Sequence, residues 1–322
     1  MVKSKVWKLK TEFSGKVEIS DFELTEEEVS DNIKDGEFLT EALYWTVDPY
    51  MRTNNVVTVL PGDYMPGEQI SKVITSKNSS YPVGSIVRAF SGWRSHTLVT
   101  RDAFQMLGRM PDMGDLPLSL ALGAMGMPGM TAYFGFLELC KPKKGDIILV
   151  NGAAGAVGSL GCEVVGCAGN DIKCKWLKDL GFDKVFNYNK VCLSDTLKTV
   201  APDGFDCFFD NVGGDFTCTA LKHMKQCGRV TICGYISLYN DEMPFKGEYP
   251  FKTVNTKELQ VKGLVATRWY TRWPEGEKVM AQWIKDGAIK YKETIYRGIE
   301  TMPQAFVGLF DGTNTGKAII SA

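Results

Sequence analysis

Ile147-Ile-Leu-Val-Asn-Gly-Ala-Ala-Gly-Ala-Val-Gly-Ser159 is the stretch on which the reading of this chain turns. Its apolar opening has the composition of a strand buried on both faces, and the small residues after it form a turn that opens into a helix. Ala153, Gly155 and Gly158 occupy the three small positions of a dinucleotide fingerprint, with Ala in place of the first Gly. Small side chains let the backbone approach a pyrophosphate, and a helix N-terminus favours its charge. Alone, such a run also fits a plain strand-to-helix turn, so its surroundings must decide.

Strand patterns recur at Asp146 to Asn151, Glu163 to Ala168, Lys184 to Asn187, Phe205 to Asp210, Arg229 to Cys233 and Leu259 to Val265. Helical stretches at Asp171 to Leu180, Leu193 to Val200 and Asp215 to Lys225 lie between them, and Glu277 to Asp286 follows. Six strands alternating with helices specify an α/β fold with a doubly wound parallel sheet. Upstream, about 110 residues carry short β-like runs, including Phe38 to Val47, Gln69 to Ser76, Ser85 to Phe90 and Trp93 to Val99, punctuated by Pro-Gly turns. Met1 to Lys10 reads as a first strand, without the apolar run of a secretory leader. After the helical half the chain returns to strand, helix and strand at Glu293 to Arg297, Pro303 to Phe310 and Gly316 to Ile320.

The 322 residues suit two domains at about 150 residues each. With 37 Lys plus Arg against 38 Asp plus Glu, the net charge is -1, which provides no basic field for nucleic acid or an anionic membrane. Leu116 to Leu137 carries no charge over 22 residues, but Pro117, Pro128 and four glycines interrupt it. Two short buried helices separated by Met127-Pro128-Gly129 are expected there instead of a membrane span. The nine cysteines form no CxxC pair and read as free thiols of a reducing, cytoplasmic compartment.

The second strand ends Cys167-Ala168-Gly169-Asn170, where an acid would normally take the ribose hydroxyls. Its absence, with Lys173 close by, suits a 2'-phosphate and points to NADPH. Asp171 is the competing acid, three residues past the strand, where a helix N-terminal role also explains it. Only His96 and His223 are present and no cysteine precedes Cys140, so a three-ligand catalytic metal site is not expected. Without a metal to polarise an ordinary ketone, a conjugated enone is the easier acceptor, because its developing charge spreads onto an enolate.

Five motifs then resemble a known family: Thr46-Val-Asp-Pro-Tyr-Met-Arg52, Gly126-Met-Pro-Gly-Met-Thr-Ala-Tyr133, Ala153-Ala-Gly-Ala-Val-Gly-Ser159, Phe209-Asp-Asn-Val-Gly-Gly214 and Cys233-Gly-Tyr-Ile-Ser-Leu-Tyr239. In this order, over nearly the whole chain, they look like the zinc-independent medium-chain dehydrogenases/reductases. The resemblance implies a GroES-like catalytic domain over residues 1–125, completed by 288–322, a Rossmann NADPH-binding domain over 126–287, and a homodimer. It also implies reduction of α,β-unsaturated ketones and aldehydes, including 15-oxo-prostaglandins and alkenals, with NADP-dependent oxidation of a leukotriene hydroxyl. The partner is thus a small enone or lipid. A quinone or carbonyl reductase of the same superfamily, or a non-catalytic variant, are the alternatives.

Carried over by position, cofactor contacts fall on Ala156, Val157, Gly158 and Ser159 at the pyrophosphate turn, and on Lys173 and Tyr188 near the adenosine phosphate. They continue at Asn211, at Cys233, Gly234, Tyr235, Ile236, Ser237, Leu238 and Tyr239, at Leu264, Val265 and Ala266, and at Asn314. Turn chemistry for Asn211 and Asn314 and core packing for Tyr188 are the plainer alternatives. Tyr239 is the candidate catalytic side chain, donating a hydrogen bond to the developing enolate. Tyr50 is the candidate wall of the enone site and Arg52 the candidate partner of a distal carboxylate, against packing and a surface ion pair.

The chain departs from the family after Ser159, where Leu160-Gly161-Cys162-Glu163 leads straight into the second strand. Relative to the family, about two turns of the first crossover helix are absent. A helix through Ala156 to Cys162 would rise roughly 10 Å, whereas a five-residue strand spans about 16 Å. A truncated first crossover helix is therefore expected.

Overall fold

The computed structural model describes residues 1–53, 58–152, 162–241 and 247–322. Among these the strands are β1 (Val2–Leu9), β2 (Phe22–Val29), β3 (Phe38–Thr46), β4 (Gln69–Ser76), β5 (Ile86–Ala89), β6 (His96–Val99), β7 (Leu107–Gly108), β8 (Ile147–Asn151), β9 (Glu163–Ala168), β10 (Lys184–Asn187), β11 (Phe205–Asp210), β12 (Met224–Ile232), β13 (Gln260–Gly263), β14 (Glu293–Arg297) and β15 (Lys317–Ser321). The α-helices are α1 (Met127–Phe134), α2 (Asp171–Asp179), α3 (Leu193–Val200), α4 (Gly214–Lys222), α5 (Phe251–Thr256), α6 (Trp273–Lys285) and α7 (Met302–Asp311). The chain divides into two compact units, Met1–Gly126 with Lys292–Ala322, and Met127–Tyr291.

In the second unit six strands form one sheet in the order β10-β9-β8-β11-β12-β13, with every neighbouring pair parallel. The order reverses between β8 and β11, which makes the carboxyl ends of these two strands the switch point where doubly wound sheets place ligands. Leu149, Val165, Phe205, Phe208 and Val230 are buried in its core, the reason these strands read as nearly continuous apolar runs.

In the first unit a seven-stranded sheet runs β14-β15-β3-β4-β5-β7, with β6 also pairing β3. Trp45, Met65, Trp93, Phe306 and Ile320 are buried in one cluster, in which Trp93 stacks on Phe22 at 5.6 Å and meets Phe306 edge-on at 5.6 Å.

Several element boundaries differ from the sequence reading, each for a local reason. The acidic run of β2 hides its strand character, yet it pairs antiparallel with β1 because lysines there neutralise it: Lys3–Glu26 at 2.6 Å and Lys8–Glu27 at 2.8 Å. The expected Met127-Pro128-Gly129 linker is instead the start of α1, since proline is tolerated in a first helical turn. The break lies at Gly123 to Gly126, where a Cβ on Gly126 would stand 2.3 Å from the Ala121 carbonyl oxygen. Strand β12 begins five residues before Arg229, after a shorter α4, and absorbs an irregularity at Cys227, whose φ is 59°. Among the described residues no helix is long and apolar enough to cross a membrane. Residues 153–161, which carry the expected truncated crossover helix, lie outside the described residues; the flanking β8 and β9 pair with Ile147 opposite Glu163.

Candidate active site

The sheet of the second unit ends in a set of turns, and most of the sequence-predicted site residues stand in them. After β11, the buried Asp210 carboxylate organises the first turn. Its Oδ1 accepts from Asn151 Nδ2 at 2.8 Å and from the backbone N–H groups of Val212 and Gly213 at 3.0 and 3.1 Å, and its Oδ2 accepts from the Thr217 hydroxyl. Asn151 answers across the switch point: its Oδ1 accepts from Asn211 N–H at 2.6 Å, and its carbonyl accepts from Asn211 Nδ2 at 2.5 Å. Asn211 is thus held on both sides by the end of β8.

The segment after β12 is laced to that same turn. The Cys233 and Gly234 N–H groups donate to the Asp210 carbonyl at 2.8 and 3.1 Å, and Ile236 N–H donates to the Asn211 carbonyl at 3.3 Å. Ser237 donates to the Val212 carbonyl twice, from its N–H at 3.0 Å and its hydroxyl at 2.7 Å. Ile236–Leu238 forms a single 3-10 turn that delivers Tyr239, whose ring meets Tyr235 edge-on at 4.9 Å. Burial raises the half-buried Tyr239 phenol above its ordinary range, against a hydrogen bond at the Tyr235 backbone. Burial also pushes the Cys233 thiol up to about 12, with Asp210 adding to the effect. After β13, Leu264 donates from its N–H to the Ile232 carbonyl at 2.9 Å; Leu264 and Ala266 are buried, while Val265 is exposed.

At the end of β9, Asn170 caps α2 by accepting from Lys173 N–H at 2.8 Å. The Lys173 ammonium is half-buried and makes no ion pair among the described residues; burial alone holds its pKa below the ordinary lysine value. Tyr188 packs on the sheet core and meets Phe216 edge-on at 5.8 Å, with its phenol raised by burial and then by the Cys167 and Cys174 thiols. Its hydroxyl lies 2.9 Å from where a Cβ on Gly169 would stand, so a larger residue there would have to displace the Tyr188 ring. Asp171 is engaged elsewhere, accepting from Asn187 Nδ2 at 2.7 Å and Lys190 Nζ at 2.6 Å. Those two contacts, Asn187 first, hold its carboxyl below the ordinary range.

Tyr50, Arg52 and Asn314 belong to the first unit. Tyr50 and Arg52 share the 3-10 turn Pro49–Arg52, which follows the buried Asp48. Asp48 accepts from the Thr46 hydroxyl at 2.6 Å and from Lys317 Nζ at 2.7 Å. Tyr50 packs against the core cluster, and burial, then the Asp48 and Glu68 charges, raise its phenol well above the usual value. Arg52 donates from Nη2 to the Gly15 carbonyl at 3.1 Å and lies 5.0 Å from the Phe13 ring centre, while its buried Nε has no partner among the described residues. Asn314 donates to the Gly316 carbonyl at 2.7 Å. Ala156, Val157, Gly158 and Ser159 lie outside the described residues.

The sequence reading missed Asn151, Asp210, Thr217, Asn187 and Lys190. A polar residue ending each of the apolar strands β8 and β11 was the available signal for Asn151 and Asp210. Each histidine has a serine partner, His96 Nδ1 with Ser95 Oγ at 3.0 Å and His223 Nε2 with Ser194 Oγ at 2.9 Å. All nine cysteines are free thiols, and among the described residues no three His, Cys, Asp or Glu side chains gather where they could hold a metal.

Residues 5–107 match a family described as the N-terminal domain of oxidoreductase, and residues 151–284 match one described as zinc-binding dehydrogenase. Over its full length, and over the full length of the relative, the chain is 47% identical to prostaglandin reductase 1 of Bos taurus. It is 37% identical to a 2-alkenal reductase (NADP(+)-dependent) of Nicotiana tabacum, over 97% of this chain and 95% of that one. Among solved structures, CurA from Vibrio vulnificus in complex with NADPH superposes with a TM-score of 0.88 at 31% identity, covering 99% of each chain.

Proposed function

The chain belongs to the zinc-independent medium-chain oxidoreductase family, and from that premise we propose that it is an NADPH-dependent reductase of the conjugated double bond in α,β-unsaturated ketones and aldehydes. Alkenals and 15-oxo-prostaglandins are its proposed substrates, with a leukotriene hydroxyl as a substrate for the reverse, NADP-dependent oxidation. The observation that carries the reading is Lys173, a half-buried ammonium with no anion of its own among the described residues, at the strand end where the cofactor's adenosine belongs. A half-buried cation without a partner is costly unless a ligand supplies one, and a 2'-phosphate is such a ligand.

The residues present fit NADPH. Lys173 and Tyr188 would hold the adenosine end, and Asn211 with the Cys233-to-Tyr239 segment would line the path toward the nicotinamide. Bound NADPH supplies the two-electron reductant. Tyr239 then works as a neutral hydrogen-bond donor: burial keeps its phenol protonated through the neutral range, so it stabilises negative charge developing on the substrate oxygen without surrendering its proton first. Tyr50 is equally a neutral, protonated group suited to an apolar substrate. Arg52, with its spare Nε, is the candidate partner for a substrate carboxylate. The shortened sequence after Ser159 is proposed to weaken the pyrophosphate turn without removing it.

Dissociation constants for NADPH and NADH, measured by nicotinamide fluorescence on the native protein and on Lys173→Ala, test the reading. The variant should lose about 10-fold to 100-fold in NADPH affinity, as for a charge-assisted contact, and less than about threefold in NADH affinity. Equal losses for the two cofactors would remove the 2'-phosphate role.

A further inference from the structure

The Asn187-to-Lys190 turn after β10 reaches across to the start of α2 and takes hold of a carboxylate placed to spoil the site. Both Asp171 oxygens are engaged: Oδ1 accepts from Asn187 Nδ2 at 2.7 Å and Oδ2 from Lys190 Nζ at 2.6 Å. Asn189 ties the same turn down by donating from Nδ2 to the Gly169 carbonyl at 2.8 Å, and its own N–H is bonded to Asn187 Oδ1 at 3.1 Å. Asp171 opens α2 two residues before Lys173, just past the end of β9. In doubly wound sheets an acid near this strand end accepts from the 2' and 3' ribose hydroxyls and repels a phosphate there. We propose that Lys190 and Asn187 are specificity-determining residues, which hold the Asp171 carboxylate away from the adenosine ribose so that Lys173 reads the 2' position without a competing negative charge. The inference rests on the NADPH reading and extends it from the residue that attracts the phosphate to the pair that silences its competitor.

An exposed ion pair contributes little to stability, so this device costs the fold little and acts through charge at the binding site. Releasing Asp171 adds one uncompensated negative charge beside the phosphate position and one acceptor for ribose hydroxyls. NADPH should therefore suffer and NADH should gain.

The test measures dissociation constants for NADPH and NADH, at low ionic strength, on the native protein, Lys190→Ala, Lys190→Gln, Asp171→Asn and the double variant Asp171→Asn/Lys190→Ala. The native ratio comes first: equal affinity for the two cofactors would overturn the NADPH reading itself, and the specificity role with it. Given a native preference for NADPH, both Lys190 variants should lower it by about threefold to tenfold, a span set by the modest strength of exposed charge pairs. Adding Asp171→Asn should restore the native preference, because the charge that Lys190 controlled is gone. A preference unchanged in both Lys190 variants would overturn the proposal while leaving the NADPH reading intact. A loss that Asp171→Asn fails to rescue would also overturn it, since Lys190 would then be acting on the phosphate directly.

Discussion

Asp210→Ala is the substitution that should disturb the candidate site most. The carboxylate is 1% exposed and gathers four donors: Asn151 Nδ2, the Val212 and Gly213 N–H groups and the Thr217 hydroxyl. Asn151 and Gly213 are buried, so their donors would be left without water or protein partners, while Val212 and Thr217 are partly accessible and recover some hydration. Two orphaned buried donors at about 1 to 3 kcal/mol each, less the desolvation relieved by removing the carboxylate, give a loss of about 3 kcal/mol. For a unit of this size that corresponds to roughly 6 to 12 °C in melting temperature. Calorimetry on the native protein, Asp210→Asn and Asp210→Ala reads it directly. The Asn variant, which keeps an acceptor and the volume, should fall between the other two. Because Asn211 and the Cys233 and Gly234 N–H groups hang from the same turn, NADPH affinity should fall in the same order. A melting temperature in Asp210→Ala within about 2 °C of native would refute the reasoning, since it would mean the four donors find other partners at no cost.

Three further outcomes follow from individual residues. Tyr239→Phe should lower the turnover number for enones at least tenfold while leaving NADPH affinity within about threefold, as expected for a group acting on developing charge; steady-state kinetics with cofactor titration checks it. Gly316→Ala should cost at least ~3 kcal/mol, measured by urea unfolding, because φ is +74° and the new Cβ would stand 1.9 Å from the Lys292 carbonyl oxygen. Inserting about two helical turns between Ser159 and Gly161 should raise both melting temperature and NADPH affinity, each 100 Å² of newly covered apolar surface contributing about 2.5 kcal/mol; no change in either would remove the truncation argument.

The parallel sheet was legible because its central strands β8, β9 and β11 are buried and so carry apolar runs that alternate visibly with amphipathic helices. The β2 strand was not, because its strand character depends on lysines of β1 that neutralise Glu26 and Glu27 from about twenty residues away. The same distance problem hid the clamp on Asp171: Lys190 lies 19 residues along the chain, and only the pairing of β9 with β10 brings it back. Asp210 and Asn151 are 59 residues apart and meet only because β8 and β11 are neighbours at the switch point. Lys173, by contrast, was readable from sequence, since its position depends only on the end of β9 and the helix that Asn170 caps.

The proposed reaction is reduction of the carbon–carbon double bond of an enone with NADPH. Its most direct test incubates the purified full chain with NADPH and an α,β-unsaturated ketone, follows nicotinamide absorbance, and identifies the product by mass spectrometry and NMR. One NADPH should be consumed per molecule of saturated ketone formed, with the carbonyl intact and the rate unchanged by a metal chelator. An allylic alcohol as product, or cofactor binding with no turnover on any enone, would contradict it.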